Sequence, residues 1–309
     1  MKRQVCRSFL IVALLLGAHM PALAWHDVGH MVVAQIAYLR LTPAAKQQVD
    51  RLLVTAPDKR ALVFYCDKTY DPVQIAVWMD DIKGDSLNDD YANWHYTNHR
   101  PFFDGVPERT NIGPEATNVL DRINWALATL RKGTGRDKTD AETLGFLFHL
   151  VGDVHQPLHT TTRYTARLPE GDAGGNGFPV TMPAETRIRN LHSYWDSAAG
   201  LFGFDSPRRP LDDAGKARIR ALAEQVMAAN PAQSMPEWRE QNVQLWVEES
   251  SRLTREAVYN GIRENETPSR AYTERAQKVA SRRLALAGYR LANVLNSLYV
   301  ESRPQGNNR

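Results

Sequence analysis

The sequence predicts an all-α, single-domain protein, and three observations carry that expectation. Apolar residues recur every three to four positions through most of the chain, the period of a helix with one buried face. No segment sustains the alternation of a half-buried strand. Two stretches rich in Gly, Pro, Asn and Thr, residues 98–114 and 160–187, read as loops set among these helical segments.

Residues 1–24 stand apart. Lys2, Arg3 and Arg7 precede an apolar run over 9–17, and Ala22-Leu23-Ala24 ends it with a small-x-small pattern. This is the layout of a secretory signal peptide cleaved between Ala24 and Trp25. The run is too short to span a bilayer, and no later stretch is apolar enough to insert. Export to the periplasm or the medium is therefore expected, with Trp25 as the first mature residue. Cys6 lacks the small-residue approach of a lipoprotein site, so no lipid anchor is expected.

Residues 30–41 and 43–54 carry helical periodicity, with Pro43 near the N-terminus of the second, where its fixed φ suits the first turn. A weaker pattern covers 72–82. Stronger ones follow at 117–131, 141–154, 213–229 and 236–259, then a long one at 270–299. The loop at 160–187 is long enough to frame a site rather than only connect elements. Residues 302–309 read as a flexible tail. No repeat or linker composition divides the rest, which gives one domain over 25–301.

Of the 309 residues, 38 are Lys or Arg and 35 are Asp or Glu. Residues 1–24 hold three basic side chains and no acidic one, so the mature chain is balanced at 35 of each sign. A balanced chain has no bulk field to draw in polyanions. Attraction to a nucleic acid would have to be local, and bound cations are one source of it. Only Cys66 remains after cleavage, so no internal disulfide is available despite export.

The mature chain keeps eight histidines: His26, His30, His95, His99, His149, His155, His159 and His192. FLFHLVGDVHQPLH puts His149 and Asp153 four apart on a helical segment, hence on one face. Gly152 leaves room beside them, and Pro157 ends the helix so that His159 can turn back. NLHSYWD repeats the spacing with His192 and Asp196. One such pair reads as a surface hydrogen bond. Two pairs with His159, set in apolar and aromatic sequence, point to metal, because a buried carboxylate beside a buried imidazole is unfavourable unless paired or metallated. Asp80 in VWMDD and His95 in NWHYTN extend the pattern, and His30 begins a helix rich in Val and Ala.

The ordered set W-x4-H, W-x-D, W-H-Y, H-x3-D-x5-H, D-x-G-G-N and N-L-H-x2-W-D resembles the S1/P1 nuclease family, secreted zinc enzymes related in structure to zinc-dependent phospholipase C. The resemblance runs from Trp25 to about Tyr299. It implies an all-α fold with long loops around three Zn2+ ions. Asp80, His95, His149 and Asp153 would hold one zinc. Asp153 would bridge to a second, bound by His30 and by the amino nitrogen and carbonyl oxygen of Trp25. His159, His192 and Asp196 would hold a third. The implied reaction is hydrolysis of single-stranded DNA or RNA to 5′-phosphorylated products, with 3′-nucleotidase activity, Asp80 and Asp153 serving the catalytic metal pair. A monomer acting on nucleic acids and nucleotides, with no stable protein partner, is expected.

Three departures from the family pattern bear on this. Lys83 stands where the family often has arginine, keeping a positive charge but losing the bidentate fork. The base pocket would have Tyr96 as a stacking aromatic and Asn98 where a carboxylate is usual, which adds a donor. The stretch 160–173 is longer than in compact members. Asn176, in DAGGN, matches the family's substrate-contacting asparagine. His155 falls two positions past Asp153, as a supporting partner, and His26 and His99 take no ligand role. Two other readings stand beside the nuclease: a phospholipase C on the same scaffold, and a catalytically silent exported zinc binder. The short Trp25–His30 spacing and an aspartate at 196 rather than a glutamate favour the nuclease.

Overall fold

A computed structural model of the chain describes residues 25–55, 71–82, 89–109, 112 and 117–300. Residues 1–24, expected to be a signal peptide, lie outside the described residues, as do Cys66, Lys83 and the expected tail over 302–309.

Helix α1 (Asp27–Leu39) is buried along nearly its whole length through Val28, Met31, Val32, Val33, Ala34, Ile36 and Ala37. A helix apolar on all sides belongs at the centre of a domain. It packs against α9 (Arg270–Leu298) and α7 (Asp213–Ala229). The far half of α9 is correspondingly buried, through Leu284, Leu286, Leu291, Val294 and Leu295, with Arg283 and Arg290 among them, while its first turns bury only Tyr272, Ala276 and Ala280. Helix α2 (Pro43–Thr55) lies on α5 (Asp137–Asp153), and α5 pairs with α4 (Val119–Lys132). The sequence marks the ends of these helices. Asn118 accepts from the Leu120 and Asp121 amides, and Gly133 at φ 66° stops α4. Asp212 and Ser269 cap α7 and α9 in the same way.

A second, smaller core of Leu158, Phe178, Val180, Leu191, Tyr194, Trp195 and Tyr272 forms under the loop region that ends in α6 (Leu191–Asp196). Asn190 caps α6 by accepting from the Ser193 amide. The only strands among the described residues, β1 (Phe102–Phe103) and β2 (Arg163–Tyr164), pair in parallel and join the two long loops.

The structure differs from the periodicity in two places. Residues 72–82 form a 3₁₀ turn, Gln74–Val77, followed by one α turn, α3 (Trp78–Asp81). Residues 236–259 are not one helix. A 3₁₀ turn, Pro236–Arg239, precedes α8 (Val243–Leu253), and Thr254–Val258 widens into a π turn. The break follows from local polar chemistry: the Glu240 carbonyl accepts from the Trp246 indole at 3.0 Å, and Asn242 caps α8 through the Gln244 amide at 3.0 Å. Apolar spacing runs on across residues 240–242, but their polar groups do not.

Between α5, α8 and α9 lies a buried polar cluster. Arg290 is 0% exposed and grips both Glu249 oxygens at 2.7 Å. Arg283 reaches Glu249 at 3.0 Å and Ser250 Oγ at 2.6 Å. Such a bidentate arrangement satisfies charges that burial would otherwise penalise. No helix among the described residues is long and apolar enough to cross a membrane.

Candidate metal centre

Helix α5 supplies the middle of the site. His149 and Asp153 are one helical turn apart, with His149 Nε2 3.2 Å from Asp153 Oδ2 and both side chains fully buried. Asp153 faces three imidazoles. Its Oδ1 lies 3.3 Å from His30 Nε2 of α1, and its Oδ2 lies 3.0 Å from His95 Nδ1. His95 ends a 3₁₀ turn, Asp89–His95, and its Nδ1 is also 3.0 Å from His149 Nε2. Asp80, on α3, closes the group with Oδ1 at 3.7 Å from His149 Nε2 and 3.8 Å from His95 Nδ1.

A second group lies beyond His95. His159 Nε2 is 3.7 Å from Asp196 Oδ1, and His192 Nε2 is 3.4 Å from Asp196 Oδ2. The groups are linked through the backbone, because His159 Nδ1 donates to the His95 carbonyl at 2.7 Å. The same device fixes other rings: His149 Nδ1 donates to Ala76 O and His192 Nδ1 to Gly174 O, each at 2.7 Å. With Nδ1 donating, Nε2 is left as the lone-pair nitrogen, the tautomer a metal ligand needs.

Trp25 is fully buried, and its indole Nε1 donates to Gly152 O at 2.9 Å. The next residue's amide, His26 N, donates to Asp196 O at 2.9 Å, so the Trp25-His26 segment is tied to both groups. Gly152 is needed here, because a Cβ at that position would stand 2.7 Å from His30 Nδ1.

Without an ion this arrangement is electrostatically frustrated. Burial, with His149 as a second cause, lowers the His30 pKa to about 4. Burial opposes charge on His149 too, but Asp153 and Asp80 outweigh it and raise the pKa to about 9. Burial would raise Asp153, yet the His149 charge and three imidazole contacts hold it well below the usual carboxylate range. Burial lifts Asp196 to about 8. Both ring nitrogens of His30 and the Asp153 Oδ1 are buried without a hydrogen-bond partner among the described residues. Buried polar atoms left in this way call for an explanation, and a cation supplies one. Three sets have donor atoms all within 4.8 Å of one another: His30, His149 and Asp153; Asp80, His95 and His149; His159, His192 and Asp196. The residues present fit metal ions.

The eight side chains put forward as ligands thus come together in two adjoining groups, with Trp25 beside them. Tyr96 and Asn98 flank Thr97, whose amide donates to the His159 carbonyl at 2.8 Å. Tyr96 is half-buried and its Oη donates to Asn93, while Asn98 Oδ1 accepts from Thr162 Oγ1. Asn176 Nδ2 donates to Ala173 O at 2.8 Å in the loop that orients His192. His155 has a specific partner that its sequence context does not reveal. Its Nδ1 donates to Val151 O at 2.8 Å and its Nε2 accepts from Arg290 at 3.0 Å. Burial first, then Arg283 and Arg290, hold its pKa well below 6.5. His99 bonds Gln244 of α8 at 2.5 Å. Sequence reasoning also passed over Gln156, whose Nε2 donates to Asp196 Oδ1 at 2.7 Å while its Oε1 accepts from Leu158 N. A buried glutamine between His155 and Pro157 was the available signal.

The profile of the S1/P1 nuclease family matches residues 25–300. The chain belongs to this family. S1/P1 membership makes it a nuclease, an enzyme that hydrolyses phosphodiester bonds. The chain is 24% identical to Nuclease S1 of Aspergillus oryzae over 299 residues, covering 91% of this chain and 93% of that one. It is 25% identical to Endonuclease 2 of Arabidopsis thaliana over 292 residues, 89% and 90% of the two chains. It is 25% identical to Nuclease P1 of Penicillium citrinum over 179 residues, 56% and 57% of the two chains.

Proposed function

We propose that the protein is an exported, zinc-dependent nuclease that cuts single-stranded DNA and RNA to 5′-phosphorylated products and removes phosphate from 3′-nucleotides. The observation that carries the reading is Asp153, a fully buried carboxylate with one oxygen toward His30 and the other toward His95 and His149. A carboxylate so shared suits a bridge between two cations.

Asp80, His95, His149 and Asp153 would hold one zinc, and His30, Asp153 and the backbone of Trp25 a second. His159, His192 and Asp196 would hold the third. Bound zinc would supply Lewis-acid charge at the phosphate and make a nearby water acidic enough to act near neutral pH. The protein's own part is orientation. Carbonyls of Ala76, His95 and Gly174 fix the His149, His159 and His192 rings. Tyr96 would stack on a base, Asn98 would read its edge, Asn176 would contact the substrate, and Lys83 would add positive charge beside the phosphate. Cleavage after Ala24 would free the Trp25 amine to act as a ligand, so export and metal loading would be coupled. A monomer in the periplasm or medium completes the reading.

The test uses purified protein confirmed to begin at Trp25, assayed on single-stranded DNA, RNA, a 3′-nucleotide and phosphatidylcholine. Zinc-restorable cleavage of the nucleic acids over the lipid is expected. Cleavage of the lipid alone would make it a phospholipase C, and bound zinc without turnover would make it a silent binder.

A further inference from the structure

Asp172 lies in the loop between His159 and His192 and belongs to none of the three ligand sets. It is 1% exposed, and its carboxylate gathers separate parts of the chain. Oδ1 accepts from the Arg163 amide of β2 at 3.0 Å, and Oδ2 accepts from Tyr259 Oη, just past the π turn, at 2.6 Å. The Gly175 backbone also bonds this carboxylate. The Asp172 backbone closes the loop on either side: its amide donates to Arg163 O at 2.9 Å, and its carbonyl accepts from Gly177 N at 2.8 Å.

Tyr259 is itself held in place. Its ring lies 5.8 Å from that of Phe102 and 5.7 Å from that of Phe178, with the Arg163 guanidinium 5.3 Å above it. Burial, with Asp172 as the next cause, keeps its hydroxyl well above the ordinary phenol range, so the proton stays available to donate.

The far side of the loop faces the third metal group. Gly174 O accepts from His192 Nδ1 at 2.7 Å, and Gly175 O accepts from the His192 amide at 3.3 Å. Gly174 has φ +63°, and a Cβ there would stand 2.5 Å from Leu158 O, directly before His159. The loop is therefore pressed onto one ligand segment while its carbonyl aims the ring of another. Asn176 follows in the same turn.

We propose that Asp172, held by Tyr259, is a positioning residue for the third metal group: it fixes the 172–177 loop so that the Gly174 carbonyl sets the tautomer and direction of His192. The inference rests on the three-zinc nuclease reading. Ring orientation by a carbonyl is itself only as firm as the loop that carries the carbonyl, and partners of this kind influence metal affinity about 10–100-fold. A carboxylate suits the hub because the surrounding groups all donate. Asparagine, nearly the same shape, would turn one acceptor into a donor facing the Tyr259 hydroxyl or the Arg163 amide.

The experiment takes the mature zinc-loaded protein and its Tyr259→Phe and Asp172→Asn variants. Zinc per chain is followed against a competing chelator, together with melting temperature and kcat on a single-stranded oligonucleotide. His159→Ala marks which class of bound zinc is the third. The expected result is that Tyr259→Phe weakens that class alone, on the order of tenfold, and Asp172→Asn weakens it by more, toward 100-fold. Activity returns as free zinc is raised, and adding Tyr259→Phe to His159→Ala changes zinc content no further. Wild-type affinity in both variants overturns the proposal. So does loss of all zinc classes together with a lower melting temperature that zinc does not rescue, which marks a merely structural role. A wild-type protein with fewer than three zinc ions, or with no nucleic-acid cleavage, overturns the functional reading itself and shows in the wild type before any variant is made.

Discussion

The indole of Trp25 donates to the carbonyl of Gly152 at 2.9 Å, across 127 positions of sequence. This bond fastens the segment just ahead of α1 to the last turn of α5, between His149 and Asp153. Trp25 needs no side-chain role at the metal for this to matter, because the bond places its backbone.

One residue added ahead of Trp25 is expected to remove the free amine from that place without disturbing the indole. Zinc affinity at the His30 side should fall on the order of tenfold or more, and activity with it. Trp25→Phe does the reverse: it keeps the amine but leaves the buried Gly152 carbonyl unpaired, a loss of about 1–3 kcal/mol. Metal analysis and chemical denaturation of the two proteins separate the effects. An extended chain with full zinc and full activity would rule out the amine as a ligand.

Gly152→Ala puts a methyl group 2.7 Å from His30 Nδ1 and 2.9 Å from its Cε1. The ring sits in a packed, fully buried setting, so it is expected to turn out of line with Asp153. Zinc bound on the His30 side should weaken and kcat/KM should fall on the order of 10–100-fold, with the His159 group still loaded. Unchanged kinetics would mean that His30 has slack the structure does not suggest.

Much of this site was legible because helical spacing is local information. A spacing of four positions from His149 to Asp153, and again from His192 to Asp196, places each pair on one helical face whatever the rest of the chain does. The Gly152 and Pro157 positions follow from the same reasoning. What the sequence could not show are partners brought together by packing: Trp25 with Gly152, His155 with Arg290 at 135 positions' separation, and Asp172 with Tyr259 at 87. The helical periodicity of 236–259 also misled, because apolar spacing says nothing of the Glu240 carbonyl that captures the Trp246 indole. The all-α class was readable and the break between Arg239 and Val243 was not.

Arg290→Met tests the polar cluster behind the site. The substitution removes one of two buried guanidinium partners of Glu249, which keeps Arg283 at 3.0 Å and 26% of its side-chain surface accessible. Breaking a buried pair costs about 3–5 kcal/mol, and the remaining partner and partial exposure place this loss at or below the low end, about 3 kcal/mol. Zinc stoichiometry should stay as in the wild type, since no ligand depends on Arg290 directly. Loss of zinc at full stability would reverse this assignment.

His155 gives the fold an acid sensitivity of known sign. Folded, its pKa lies well below 6.5, whereas the unfolded group titrates near 6.5. As pH falls below 6.5 the unfolded chain takes up the proton first, so stability is lost from there downward until the folded group protonates. The slope is at most about 1.4 kcal/mol per pH unit. His155→Gln, with nothing to titrate, should show a shallower acid limb than the wild type by that amount when both are unfolded in urea at matched zinc. Parallel acid limbs would show that His155 is not buried neutral.

The buried histidine–aspartate groups are expected to hold the zinc on which nucleic-acid cleavage depends. Stepwise return of zinc to the chelated mature protein, with single-stranded DNA cleavage and bound zinc read at each step, tests it most directly. Cleavage is expected to appear as the sites fill toward three zinc ions per chain, and His149→Ala is expected neither to fill them nor to recover activity. Full cleavage by the zinc-free protein, or wild-type zinc content and rate in His149→Ala, would contradict it.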